Sequence, residues 1–227
     1  MPTISYKAIH RSDLKESFII SGIMYVYNVL FALFGVLFIY MDGVGGLIHF
    51  LIGLAFFGPL MVIYFFEGIK EGDREFKKLN YEKLNTKARL NLKKASYTKG
   101  VLYVLPYVGI GVFFVLIMLI TDWQLLKMLM LWLYVPATKI GQAFNWVGFT
   151  SVTDKATKIT TYTWTLDAWA VAGIVVGYLL ITALVFWMGY MKKINDARDQ
   201  FSAFITEIVE NERYRTDFSN NNDSGLN

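Results

Sequence analysis

Residues 18–66 read FIISGIMYVYNVLFALFGVLFIY, then MD, then GVGGLIHFLIGLAFFGPLMVIYFF. Apart from Asp42 at the join, the stretch contains no Asp, Glu, Lys or Arg. About 20 apolar residues carry a helix across ~30 Å of hydrocarbon at ~1.5 Å per residue. Each side of Met41-Asp42 is long enough for one crossing, so 18–40 and 43–66 read as two spans joined by a tight turn. Two further uncharged stretches of similar length follow, 100–121 and 168–191. The composition of the 227 residues agrees: 55% are hydrophobic, and 18% are charged against about 25% in soluble domains. This excludes an ordinary water-soluble enzyme, a disulfide scaffold and a disordered chain. With no cysteine anywhere, thiolate catalysis, Cys-based zinc sites and dithiol redox chemistry are excluded as well. The fold expected is an all-α integral membrane protein with four transmembrane helices.

Orientation follows from the basic residues flanking the spans. The N-tail 1–17 has three, the turn at 41–42 none, segment 67–99 ten, segment 122–167 four and the tail 192–227 five. Both termini and the 67–99 loop are therefore expected in the cytoplasm, with 122–167 outside. The polar lead 1–17 lacks a small-residue cleavage site, so the first span is expected to be retained. Within 122–167, the apolar run Leu125–Val135 has 11 residues, too few to cross. Pro136 and Lys139 bar its extension, which suggests an outer interfacial or re-entrant helix with Trp132 and Tyr134 at headgroup level. A distorted fifth span is the alternative. Further on, Thr161–Leu166 alternates with period two, and Phe144–Thr153 is aromatic and β-branched. The pair reads as a small external β-hairpin turning at Asp154-Lys155-Ala156, or as an irregular aromatic loop.

On the inner side, Ile69, Phe76, Leu79 and Leu90 have near-helical spacing, so the second and third spans are expected to extend into 67–99. After Lys192-Lys193, the residues Ile194, Ala197, Phe201, Phe204, Ile205 and Ile208 recur with the same period. This predicts an amphipathic cytoplasmic helix over 192–215, with Phe201, Phe204, Ile205 and Ile208 as a partner-docking stripe. The Asn/Ser-rich end, 216–227, is expected to be disordered.

No H-E-x-x-H, Walker, nucleophile-elbow or dinucleotide motif is present. Uncharged spans also speak against a proton-coupled pump, which carries carboxylates or histidines at membrane depth. No cofactor and no nucleic-acid partner is indicated. The remaining ionisable constellation is Asp42, His49, Asp122 and Asp167, all expected near the outer boundary. Three carboxylates and an imidazole at one depth suit a divalent cation or a basic ligand. The plainer reading is that the acids cap span ends and His49 hydrogen-bonds a neighbouring helix. For helix packing, the candidates are Asn28, Ser21 and Thr182 as hydrogen-bonding groups, and the GxxxG of Gly173 and Gly177, either inside the bundle or against a second copy.

The pieces Asn28-Val29-Leu30-Phe31, Gly58-Pro59-Leu60 and Asn91-Leu92-Lys93-Lys94-Ala95-Ser96, within Asn28–Tyr103, resemble the YesL-like family of small bacterial membrane proteins. That family is often encoded beside carbohydrate ABC importers. The resemblance covers about a third of the chain, and the Thr- and Trp-rich outer segment and the four-span count depart from it. It implies a bacterial cytoplasmic membrane and a transport-associated accessory role, and it assigns no functional residue. The function expected is a non-enzymatic accessory, assembly or regulatory subunit that contacts the bilayer and either other membrane subunits or its own copies. A small permease or channel subunit is the alternative, and a membrane enzyme using the outer carboxylates is the third reading.

Overall fold

Four long helices dominate a computed structural model of the chain, which describes residues 11–39, 45–78, 86–153 and 160–223. They are α1 (Arg11–Ile39), α2 (Gly46–Lys78), α3 (Thr86–Thr121) and α6 (Ala168–Asp223). Between α3 and α6 lie two short helices, α4 (Gln124–Leu133) and α5 (Val135–Ala143), and two strands, β1 (Val147–Thr153) and β2 (Thr160–Leu166). Each long helix contains one stretch long and apolar enough to cross a membrane: Asp13–Gly35, Gly46–Glu75, Thr98–Thr121 and Ala168–Asp196. Large apolar side chains such as Phe34, Leu37, Leu47 and Ile120 cover the outside of the bundle. In water such a belt would be a liability, whereas in hydrocarbon it is the matching surface.

The helix pairings fix the arrangement. Ser21 and Tyr25 of α1 reach the backbone carbonyls of Tyr103 and Tyr107, so α1 and α3 run side by side in the same direction. Gly111 and Gly100 of α3 meet Leu179 and Tyr190 of α6, which is an antiparallel pairing. The α2–α6 pairing is parallel and the closest of all. A Cβ on Gly68 would lie 2.1 Å from the Phe186 carbonyl oxygen, and one on Gly189 would lie 2.1 Å from that of Phe65. Gly68 and Gly72 therefore form the GxxxG that this bundle packs on. At Gly173 and Gly177 an added Cβ would meet nothing within 4 Å, so that motif is not used inside the bundle.

Several boundaries differ from those expected. The helix of the first span begins at Arg11, inside the polar lead, with Asp13 and Ser17 buried. By contrast, the second and third spans extend into 67–99 as expected, α2 to Lys78 and α3 from Thr86; residues 79–85 lie outside those described. The separate amphipathic helix expected over 192–215 is the continuation of α6, one uninterrupted helix of 56 residues. It also takes in 216–223, expected to be disordered, with helical backbone to Asp223. The docking stripe Phe201, Phe204, Ile205 and Ile208 falls in this part, its side chains outside the described set.

The 122–146 region departs most from expectation. Asp122 turns the chain at φ 48°, a left-handed conformation that Asp tolerates, and α4 then heads back along the bundle. A proline ring excludes the carbonyl four residues before it, so α4 must stop ahead of Pro136. The same residue suits the first turn of a helix, and Pro136 starts α5 there. The proline expected to end the structure is thus the pivot between two helices. Thr138 braces the break by donating to the Leu131 carbonyl at 2.6 Å. Tyr134 at the pivot is buried, with its ring 5.3 Å from that of Tyr178. Tyr178 lies ten residues into α6, about 15 Å from its start, so the hairpin tip sits near the middle of the bundle. From there α5 returns antiparallel to α2, with Pro136 and Ile140 against Gly53 and Ala143 against Gly46. The α4–α5 hairpin is therefore a wedge inserted beside α1 and α2. After Asn145, at φ 58°, β1 pairs antiparallel with β2 from Val147↔Leu166 to Thr153↔Thr160. The turn expected at Asp154–Ala156 lies outside the described residues.

Candidate functional site

Polar side chains inside an apolar bundle are costly, so they mark where specificity or function resides. Here they form three groups stacked along the bundle.

The middle group is built on Asn28. Its amide donates to the Tyr107 hydroxyl at 2.9 Å, and its carbonyl oxygen accepts from the Tyr178 hydroxyl at 2.7 Å. Thr182 lies 3.3 Å from the Tyr107 hydroxyl and also bonds the Tyr178 and Leu179 carbonyls of its own helix. Tyr64 of α2 donates to the Met24 carbonyl at 3.0 Å, and Tyr25 donates to the Tyr107 carbonyl at 2.8 Å. All four long helices are thereby tied at one level, and Tyr134 brings the hairpin to the same node. A tyrosine ring supplies packing area while its hydroxyl must find a partner, so each tyrosine here both fills and orients.

The group at the end of the bundle where α1 and α3 begin is charged. Lys99 of α3 pairs with Glu75 of α2 and, at 3.5 Å, with Asp13 of α1. All three are buried. The Tyr103 hydroxyl lies 3.3 Å from Glu75 and 3.4 Å from Glu16. Glu71 pairs with Arg74, and Glu67 accepts from Tyr27 at 3.3 Å and from Lys70. Lys193 of α6 pairs with Asp73 at 3.2 Å. Buried charges persist only when paired and hydrogen-bonded, and this cluster meets that condition across three helices.

The third group, at the opposite end, sits on the hairpin. Lys127 is buried and reaches the exposed Asp122 at 2.5 Å and the Leu166 carbonyl at 3.4 Å. Lys139, expected to stop a helix, is 0% exposed, with its ammonium 3.1 Å from Nδ1 of His49.

Among the described residues, the members of the outer ligand set are not gathered. Asp42 lies outside the described residues. Asp122 is engaged by Lys127, and Asp167 caps α6 by accepting the Trp169 N–H at 2.8 Å. His49 faces the Lys139 ammonium, and a second cation at Nδ1 would be repelled. Among the described residues no three His, Asp or Glu side chains gather to hold a metal ion.

Asn28, Ser21 and Thr182 are visible in sequence as polar groups within spans, and each bonds across to α3. Their tyrosine partners were missed, although Tyr103 and Tyr107, one turn apart in a span, are a usable signal. Chemically, this is an interior of satisfied bonds: hydroxyls on carbonyls, an amide between two phenols, and a cation between two carboxylates. Such a column braces helices.

The chain matches no protein-family model, no curated protein and no solved structure. Its function must be read from its own residues.

Proposed function

We propose that the protein is a non-enzymatic accessory or assembly subunit of a bacterial cytoplasmic membrane complex, with its bundle serving as the anchor and the end of α6 as the docking element. One observation carries this reading. After its apolar part ends at Asp196, α6 continues for 27 residues as the same helix. At ~1.5 Å per residue that is a rod of about 40 Å rooted in the core. Its sequence holds the stripe Phe201, Phe204, Ile205 and Ile208, each worth ~1.5–3 kcal/mol if fully buried, so water is a poor environment for it. The braced interior supports the anchoring role, since a rigid root transmits the rod's position.

In this reading both termini face the cytoplasm, and the hairpin re-enters from outside. The chain is free of cysteine, so single introduced cysteines report topology directly. An impermeant thiol reagent applied to intact cells labels Thr157→Cys and spares Asn85→Cys and Ser219→Cys. The opposite pattern refutes the orientation.

The docking role is tested by a stop after Asp196. The truncated protein inserts and extracts like the full chain, but it loses the stoichiometric partner that full-length protein retains in mild detergent. If both migrate in the same native complex, docking does not reside in α6.

A small permease is the second reading, favoured by the line of polar groups from Lys99 through Asn28 to Lys139. Solute flux in proteoliposomes of the pure protein would support it over the first.

A further inference from the structure

We propose that the His49–Lys139 contact is an acid-sensitive latch that holds the α4–α5 hairpin inside the bundle. It goes beyond the assembly role above and does not depend on it.

Donors and acceptors fix the protonation state of the contact. An ammonium has three donors and no acceptor, so at 3.1 Å the Nδ1 of His49 must offer its lone pair. That requires a neutral imidazole protonated on Nε2. Once His49 takes a second proton, Nδ1 becomes a donor, the hydrogen bond is lost and two cations face each other. In a buried setting that repulsion is poorly screened.

Among the described residues no other group offsets it. The one charged side chain of α4 is Lys127, held by Asp122 and the Leu166 carbonyl. The start of α6 offers Asp167, which caps the helix at Trp169. α1 has no charged side chain between Ser17 and Ile39, β1 has none, and the outer half of α2 has only His49 itself. Among the described residues, no carboxylate pairs with Lys139 or His49.

The sign follows from linkage: the protonated imidazole is better accommodated where α5 has moved away, so acid favours release and neutral pH favours the closed hairpin. What is released is also defined. Val135 stands against Gly35 of α1, and Ile140 against Gly53 of α2, so α5 fills the outer space between those two helices. Releasing it exposes the inner face of the wedge, including Tyr134 at its tip.

The test is hydrogen–deuterium exchange on the full-length protein in lipid nanodiscs, corrected for the intrinsic pH dependence of exchange. From about pH 7.5 to about pH 5, where an imidazole titrates, amides of α5 should exchange at least tenfold faster, while those of α3 near Tyr107 stay protected. His49→Gln keeps an acceptor that does not titrate, so α5 stays protected at both pH values. Lys139→Gln keeps a donor and removes the charge, and it should abolish the acid response while leaving α5 protected at neutral pH. The latch is overturned if wild-type α5 is equally protected at both pH values, or if the acid response persists in either variant. Should His49→Gln fail to fold, Lys139→Gln alone decides between these outcomes.

Discussion

Replacing Lys99 by Met should destabilise the bundle by about 3–5 kcal/mol, the cost of removing one partner from a buried ion pair. The three side chains are almost fully enclosed, at 7% exposure for Lys99, 7% for Asp13 and 2% for Glu75. The methionine fills the volume of the lysine stem, so the loss comes from charge. Two carboxylates from different helices would be left without the Lys99 ammonium between them. Tyr103 lies 3.3 Å from Glu75, but a phenol supplies no compensating charge. Thermal unfolding in detergent, followed by size-exclusion chromatography, measures the effect. A triple variant, Asp13→Asn with Glu75→Gln and Lys99→Met, removes all three charges together and should recover most of the loss. Recovery is what separates an electrostatic origin from a packing defect. Wild-type thermal stability of Lys99→Met would show that the cluster is not closed to water.

The same three residues explain why the spans were legible but the charged ends of their helices were not. A run of some twenty uncharged residues signals a crossing by itself, and all four such runs fall in long helices. A charged residue ends such a run on any local reading. Asp13, Glu75 and Lys99 are nonetheless taken into the bundle, because each meets a partner from another helix, and pairing between helices leaves no local trace. The second limb of the hairpin was illegible for a related reason. Pro136 and Lys139 are stop signals in isolation, yet the proline opens a second helix and the lysine is sheltered by His49, 90 positions away. The tyrosine node was half legible. Asn28 stands out in an apolar span because its amide demands partners. Tyrosine does not, since it suits both a core and a membrane interface.

Glycine provides the sharpest contrast between local motif and tertiary use, and Gly68→Ala should be the most damaging of the small substitutions. The added methyl would sit 2.1 Å from the Phe186 carbonyl oxygen and 2.9 Å from the Tyr190 nitrogen. Both are backbone atoms of α6, so no side chain can swing aside and the two helices must separate. Without a hydrophobic drive between helices in lipid, close packing is the main attraction there, and separation forfeits it along the α2–α6 contact. The loss should reach about 3 kcal/mol, the upper part of the range for overpacking. It should also loosen the Lys193–Asp73 pair one turn further along. Gly173→Ala is the internal control. It lies in an equally good GxxxG, but its Cβ would meet open space. There the substitution should be neutral or stabilising by about 0.5–1 kcal/mol, the helix-propensity difference between the two residues. Melting temperatures of the two variants in the same detergent give the comparison. Equal stability of Gly68→Ala and wild type would contradict the close α2–α6 packing. A large loss in Gly173→Ala would mean that this face is covered in the folded particle; among the described residues nothing of the same chain covers it, which points to a second copy.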